Sequence, residues 1–233
     1  MKQALQWNAF LAEGLGTFLF FFIGIGAGYS LVHETGGAVG LLVALAHGLA
    51  LAVMVSAFGA VSGGHFNPAV TFGLWVAGKI DPIKGVIYVV VQLAAAYVAA
   101  ALAFYAFSGR PDIYSVMAVP SLGDGVDVVK GIVIEAVITM VLLVAVFGTA
   151  VDKRAAKIGG LAIGLAVAAG ILMAGTLTGA AINPARWFGP ALFALDWDNA
   201  VVWIAGPLLG AGIVGAIYRF LILPEAEQEA AAA

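Results

Sequence analysis

The sequence contains no cysteine, and charged residues make up only 10% of its 233 positions. The absence of cysteine excludes disulfide bonds, cysteine-based metal sites and catalysis by a thiol. Soluble globular proteins have about a quarter of their residues charged, so this low charge argues against a soluble domain. The formal net charge is −3 and no run of basic residues occurs, which argues against a nucleic-acid partner. The composition, with 63% hydrophobic residues, therefore predicts a membrane protein.

Six long apolar runs follow one another along the chain. A helix needs about 20 mostly apolar residues to cross a hydrocarbon core of roughly 30 Å. The runs cover residues 7–31, 37–58, 83–107, 128–151, 158–177 and 200–223. The first run is too long for the core of a signal peptide, so we expect it to be retained as a helix. We predict a single all-α transmembrane domain over residues 1–233, embedded in the lipid bilayer, with a flexible tail at 225–233.

Two shorter apolar stretches, at 68–77 and 184–195, have about half the length that crossing requires. Both begin with Asn-Pro-Ala, and each follows the second long run of its half of the chain. The tripeptides are Asn67, Pro68 and Ala69 in the first half, and Asn183, Pro184 and Ala185 in the second. They define two repeats, at 7–107 and 128–223. Because a repeat has three spans, the second is inverted, which predicts six transmembrane helices plus two re-entrant half-helices in an inverted repeat.

The paired tripeptides indicate a pore. Proline suits the first position of a helix and asparagine is a preferred cap before it, so Asn-Pro marks a helix start. The capping amide oxygen accepts a backbone N–H, which leaves the NH₂ group to point into the facing space. Helix starts carry partial positive charge, so two of them at one constriction repel cations, including hydronium. Water there would accept from Asn67 and Asn183, which orients it and interrupts a proton-conducting chain.

The residues around the tripeptides resemble the aquaporin and aquaglyceroporin family, also called major intrinsic proteins. The matching segments are Ser-Gly-Gly-His-Phe-Asn-Pro-Ala-Val-Thr at 62–71, Gly-Ala-Ala-Ile-Asn-Pro-Ala-Arg at 179–186 and Phe-Gly-Pro at 188–190. The resemblance extends over essentially the whole chain, with Gln92 in the third span among the matching residues. It implies a channel for water and small neutral solutes, with no cofactor, metal or enzymatic activity, one pore per subunit and usually a homotetramer.

Arg186 directly follows the second tripeptide, and an arginine in an apolar stretch is costly unless it faces water or protein, so we expect it in the pore. The resemblance implies that it shares an outer selectivity filter with His47, Ile171 and Ala180. This combination is similar to the filters of plant vacuolar aquaporins, some of which pass ammonia or urea. The side chains of Ile171 and Ala180 should widen the filter. Trp187 stands where the resemblance implies a small residue, and we expect it to narrow or reshape the outer mouth.

Two histidines leave alternatives open. His47 either lines the pore or is a packing residue bonded to the backbone. We expect it to be neutral, because a second positive charge beside Arg186 is disfavoured. His65, which precedes the first tripeptide, either lines the cytoplasmic vestibule or anchors its loop.

Two acidic residues, Glu13 and Glu135, lie inside the first and fourth runs at matching places of the two repeats. Carboxylates within a membrane are usually functional or paired. The resemblance implies that both accept hydrogen bonds that hold the two re-entrant loops. The alternative is a secondary transporter, since inverted repeats with broken helices are also its architecture, and these two acids would then carry its protons. An enzyme with the two acids as general acid and base is disfavoured by their equivalent positions.

The lysines and arginines are distributed unequally between the two sides. With the termini inside, the outer face holds Arg110, Lys130 and Arg186, and the inner face holds Lys2, Lys79, Lys84, Lys153, Arg154, Lys157 and Arg219. Cytoplasmic segments carry the excess of basic residues in membrane proteins. We therefore expect both termini in the cytoplasm, and we expect the cell membrane as the location.

Overall fold

A computed structural model describes residues 6–31, 38–110, 118–156 and 158–223. Within these ranges the regular secondary structure is helical and no strand occurs. The prediction of a flexible tail at 225–233 falls outside the described residues. Lys2 and Lys157, two of the basic residues on the predicted inner face, are outside them as well.

Eight helices make up this part of the chain: α1 (Trp7–Ser30), α2 (Ala38–Ser62), α3 (Pro68–Val76), α4 (Pro82–Phe107), α5 (Val128–Val146), α6 (Gly159–Thr178), α7 (Pro184–Ala194) and α8 (Ala200–Ile217). Helices α5 and α8 continue as π-helical turns over Phe147–Val151 and Tyr218–Ile222. All helices except α3 and α7 are long and apolar enough to cross a membrane. The predicted fold class, an all-α membrane protein with six spans and two half-helices, is confirmed.

Helix α2 is longer than the sequence predicted. The predicted span 37–58 stopped before Gly59, but the helix continues to Ser62. A single glycine inside a helix costs only about 1 kcal/mol and does not end it. The end comes at Gly63 and Gly64, whose φ angles of +96° and +66° are left-handed and favour glycine. The chain therefore leaves α2 only five residues before Asn67, so the loop to the half-helix is short.

Both half-helices begin as the tripeptides predict. Asn67 has extended backbone (φ −159°, ψ 120°), and its side chain accepts a hydrogen bond from the Ala69 N–H at 2.8 Å. Asn183 has nearly the same backbone (φ −148°, ψ 114°) and accepts from the Ala185 N–H at 2.9 Å. In each case the proline that follows occupies the first turn, where its missing N–H needs no partner.

The half-helices pack across the boundary between the repeats. The long helices α1, α2 and α4 form one group and α5, α6 and α8 form the other, with α2 and α6 in contact between them. Helix α3 lies against α8, and α7 lies against α4. The approach of α7 is so close that a Cβ atom at Gly189 would lie 2.5 Å from the Ala96 carbonyl oxygen. This exchange brings the starts of α3 and α7 together in the middle of the bundle.

Candidate functional site

One cavity runs between the two groups of helices and contains the residues that the sequence selected. Its polar lining includes His47, His65, Asn67, Asn183 and Arg186. Ile171 and Ala180 also line it, so all four predicted filter residues lie on one cavity. Much of the remaining wall consists of leucine, isoleucine and valine side chains. The cavity is thus mostly apolar, with a few polar side chains in its wall.

The two capping asparagines are linked across the boundary between the repeats. Asn67 Nδ2 donates to the Ile182 carbonyl at 3.2 Å, and Asn183 Nδ2 donates to the Phe66 carbonyl at 2.9 Å. A side-chain amide has two N–H groups, so each asparagine uses one on the opposite loop and keeps one for the cavity. From the sequence we expect both N–H groups to be free, and these cross-links are not predicted by it. They tie the starts of α3 and α7 to each other.

Arg186 is held at two points on the cavity wall. Its Nη1 donates to the Ala118 carbonyl at 2.9 Å, and its Nε donates to His47 Nε2 at 3.3 Å. His47 Nδ1 lies 2.9 Å from the Val43 carbonyl, which can only accept, so the ring hydrogen is assigned to Nδ1. His47 Nε2 then has a lone pair for Arg186, which makes the neutral ring the form that satisfies both contacts. His47 both lines the cavity and is bonded to the backbone of its own helix one turn earlier, at Val43, so lining the pore and bonding to the backbone do not exclude each other.

Trp187 does not lie where the sequence argument placed it. We expected it to narrow or reshape the outer mouth, but its side chain is only 2% exposed and stacks on Trp203, with 6.1 Å between ring centroids and 11° between planes. Successive residues of an α-helix point about 100° apart, so when Arg186 faces the cavity its neighbour must face away. Trp187 therefore forms part of the wall behind the filter.

Glu13 is completely buried and accepts four hydrogen bonds. Its Oε1 accepts from the Ser62 hydroxyl at 2.7 Å and the His65 N–H at 2.9 Å. Its Oε2 accepts from the Phe66 N–H and from Gln92 Nε2, both at 2.8 Å. The carboxylate thus fixes the loop that leads into α3, and that loop's Phe66 carbonyl is the one that Asn183 uses.

Glu135 has the equivalent place in the second half and is also completely buried. Its Oε1 accepts from the Thr178 hydroxyl at 2.6 Å and the Ala181 N–H at 2.9 Å, and its Oε2 accepts from the Ile182 N–H at 2.7 Å. The loop it holds includes Ala180 and Ile182 at φ +45° and +60°. These left-handed angles are unfavourable for side chains with a Cβ and persist only where surrounding contacts enforce them.

His65 lies in the loop just before Asn67, and its ring takes part in contacts with two helices. It lines the cavity, and its Nδ1 lies 3.1 Å from Thr71 Oγ1. Thr71 Oγ1 donates its own hydrogen to the Asn67 carbonyl at 3.1 Å and accepts from Gln92 Nε2 at 3.2 Å. The ring also lies edge-on to Tyr88, with centroids 5.1 Å apart. His65 is therefore a cavity residue whose orientation is set by a polar network behind it.

Three residues with evident roles were missed by the sequence argument. Tyr88 Oη donates to the Ser62 carbonyl at 2.7 Å, and Trp203 Nε1 donates to the Thr178 carbonyl at 2.9 Å, so each holds the loop of its own half. Their signal was available, since buried Tyr and Trp side chains usually find a partner for their polar atoms. Ala118 contributes its backbone carbonyl to Arg186, and no side-chain pattern could have identified it. Among the described residues, no group of three or more His, Asp and Glu side chains could hold a metal ion.

The fold and site together define an integral, multi-pass membrane protein in which two capped half-helices meet on a central cavity. The family model described as Major intrinsic protein matches residues 1–218, and the chain belongs to this family. The family predicted from the tripeptides and their flanking residues is thereby confirmed.

Proteins similar to this chain include Aquaporin TIP4-4 of Zea mays, 45% identical over 233 residues, with 95% of this chain and 89% of the relative covered. A Probable aquaporin TIP-type of Medicago truncatula is 41% identical over 230 residues, covering 95% and 90%. Among solved structures, the aquaglyceroporin from Plasmodium falciparum matches with a TM-score of 0.78 at 24% identity, covering 96% of this chain and 99% of that one. The last likeness supports the fold.

Proposed function

We propose that this protein is a passive channel that conducts water across a membrane and excludes protons and other ions. The observation that carries the proposal is the pair of capping asparagines on one cavity. Each has one N–H committed to the opposite loop and a second N–H left for the cavity. The names of similar proteins, which are aquaporins, support the same function.

Proton exclusion follows from the charges at this point. The starts of α3 and α7 each present partial positive charge of roughly half an elementary unit, which opposes a cation between them. A water molecule between Asn67 and Asn183 accepts from both through its oxygen, so its hydrogens point away toward the two mouths. Because its oxygen is occupied by the two N–H groups, this water cannot accept a hydrogen bond from a neighbouring water, and the transfer of protons along the chain of waters is interrupted. Arg186, which lines the same cavity, adds a full positive charge.

A secondary transporter is the competing function, and the surroundings of its two acids argue against it. Glu13 and Glu135 are each 0% exposed, and their oxygens accept from the loops that precede the half-helices. Neither is among the residues that line the described cavity. A proton carrier must exchange protons with water on each side of the membrane. The oxygens of these two carboxylates instead accept hydrogen bonds from the loops. Membership in the major intrinsic protein family also favours a channel over an enzyme.

Osmotic shrinkage of vesicles tests water conduction. Vesicles that contain the protein should shrink several-fold faster than empty vesicles of the same lipid in stopped-flow light scattering. Because the chain has no cysteine, mercury compounds that act through thiols should not slow the shrinkage. Shrinkage as slow as in empty vesicles would refute the channel.

The solute range is a finer proposal that rests on the filter. Ile171 and Ala180 line the same cavity as Arg186, and their side chains are apolar and smaller than an aromatic ring, so we propose that ammonia, urea and glycerol pass in addition to water. The double variant Ile171→His with Ala180→Cys should narrow the filter and reduce uptake of these solutes relative to water. If the ratio of solute to water permeability stays at the wild-type value, these two positions do not set the size limit.

Orientation and assembly complete the proposal. We propose that both termini face the cytoplasm, that the channel lies in the cell membrane and that it assembles as a homotetramer. The lack of native cysteine allows a clean test of orientation: Arg154→Cys should be labelled by an impermeant thiol reagent only after the membrane is opened, whereas Lys130→Cys should be labelled in intact cells. Light scattering coupled to gel filtration should give the mass of four subunits. Cell fractionation should recover the protein with the cell membrane.

A further inference from the structure

A group of side chains behind the filter is not explained by the pore itself. Trp187 and Trp203 lie together with three smaller buried residues, and we call these five residues the Trp187 cluster: Ala181, Trp187, Ala191, Val202 and Trp203. It is separate from the main apolar core of the protein. Trp187 Nε1 is buried without an acceptor among the residues that the structure describes. An unpaired buried N–H is unfavourable, so the ring's contribution must lie in packing rather than hydrogen bonding.

The first connection to the filter runs through Trp203. Trp187 lies nearly parallel to this ring with an offset, and the Nε1 of Trp203 donates to the Thr178 carbonyl at 2.9 Å. The Thr178 hydroxyl accepts from the Ala180 N–H at 3.2 Å and donates to Glu135 at 2.6 Å. Ala180 is a filter residue held at an unfavourable φ of +45°. If Trp203 lost the support of Trp187, the segment from Thr178 to Ala180 could relax from this backbone conformation.

The second connection runs through the outer loop. Val119 and Leu122 pack against the Trp187 cluster, and the Gly123 N–H donates to the Leu177 carbonyl at 2.8 Å. Val119 directly follows Ala118, whose carbonyl accepts from Arg186 Nη1 at 2.9 Å. The cluster thus supports both the acceptor that positions Arg186 and the loop that positions Ala180, which lie on the same cavity.

We propose that Trp187 is a positioning residue for solute selectivity: by stacking on Trp203 and supporting the loop at Val119, it holds Ala180 and Arg186 at the distance that sets the size limit. It does this without lining the pore. The inference rests on the proposed function as a channel. It predicts that a substitution outside the cavity changes which solutes pass.

Substitution of Trp187 tests the proposal through a ratio of permeabilities. Trp187→Ala should raise the ratio of urea to water permeability about threefold to tenfold over wild type, because the filter loses its backing and widens. Trp187→Phe keeps an aromatic ring against Trp203 but loses part of the buried indole ring together with an N–H that has no described partner, so its ratio should lie between those of wild type and Trp187→Ala and closer to wild type. The matched control is Trp75→Ala, a tryptophan on the other half-helix α3 that is 46% exposed. Its ratio should equal that of wild type.

The ratio separates positioning from simple loss of folded protein, since fewer active channels lower urea and water flux in proportion. An unchanged ratio in Trp187→Ala, or an equal rise in Trp75→Ala, would overturn the proposal. Hydrogen exchange gives a readout that does not depend on conduction: the Ala180 and Gly123 amides should exchange several-fold faster in Trp187→Ala than in wild type, and no change would also overturn it. If wild type itself conducts no water, the proposed function fails, and the exchange data still decide whether Trp187 supports the loops.

Discussion

Glu13 accepts four hydrogen bonds in the first half of the molecule, whereas Glu135 accepts three in the second. In both halves a hydroxyl and two backbone N–H groups of the loop donate to the carboxylate. The difference is Gln92 on α4, one turn after Tyr88. One turn after Trp203, the aromatic residue with the same role on α8, stands Pro207, which has no side-chain donor. Both repeats therefore keep the three hydrogen bonds that hold the loop, and they differ in the residue that the neighbouring helix places beside the carboxylate.

The surroundings of the two half-helices also differ, since they are polar in the first half and apolar in the second. Behind the first tripeptide, Thr71 joins Gln92 and His65 in a polar network. Behind the second, Trp187 stacks on Trp203 in an apolar cluster. A polar network fixes orientation through directional bonds, and an apolar cluster fixes it through shape. The first half-helix thus has a polar network behind it, whereas the second has apolar packing in addition to the hydrogen bonds that Glu135 accepts from its loop.

The largest difference between the halves should appear when each carboxylate is removed. Glu13→Ala leaves four buried donors unsatisfied and Glu135→Ala leaves three, at about 1–3 kcal/mol for each such group. Both variants should lose most of their folded protein, and Glu13→Ala should lose more. Gel filtration of detergent extracts with thermal unfolding measures this. The comparison fails if Glu135→Ala is the less stable of the two.

Removal of Gln92 should make the first half resemble the second. Gln92→Ala leaves Glu13 with three donors, and a hydrogen bond to a charged group is worth about 1.5–3 kcal/mol. We expect a clear drop in unfolding temperature with the protein still folded and conducting water. Val91→Ala on the neighbouring helix position serves as a control for truncation alone. An unfolding temperature equal to that of this control would mean that the fourth bond contributes nothing.

Thr71→Val should have a smaller effect than the loss of either carboxylate. The substitution keeps the shape of the side chain, but it removes the acceptor that His65 and Gln92 share and the donor to the Asn67 carbonyl, at about 0.5–1.5 kcal/mol for each of these bonds between neutral groups. Because His65 lines the cavity, its loosened ring should also alter water permeability modestly. Thermal unfolding and vesicle shrinkage measure the two effects. Identical values for wild type and Thr71→Val would show that the polar network does not orient His65.

Much of the fold could be predicted because two local signals coincide. Apolar runs of membrane length identified the six spans, and Asn-Pro identified the two half-helix starts at Asn67 and Asn183. Cap chemistry is local, so its geometry follows from neighbouring residues alone. The helix end at Ser62 was missed because an interior glycine does not by itself stop a helix.

The candidate site was less predictable, because its contacts join distant parts of the chain. The spans are apolar on all sides, so no amphipathic pattern indicates which of their faces meets the cavity. Trp187 on α7 was placed on the wrong side, although its neighbour Arg186 marks the face of α7 that meets the cavity. The cross-links from Asn67 and Asn183 end on backbone carbonyls, which every residue has. The same holds for the Ala118 carbonyl that Arg186 uses. Such acceptors are defined by position in space and leave no mark in the sequence.

The most direct test records volume and internal pH in the same vesicles, with wild-type protein, under an osmotic shock combined with a pH gradient. We propose that water passes and protons are blocked at the same place, where the starts of α3 and α7 meet. The account predicts shrinkage several-fold faster than in empty vesicles, with a pH trace that superimposes on that of empty vesicles. An internal pH that changes together with the volume would contradict it.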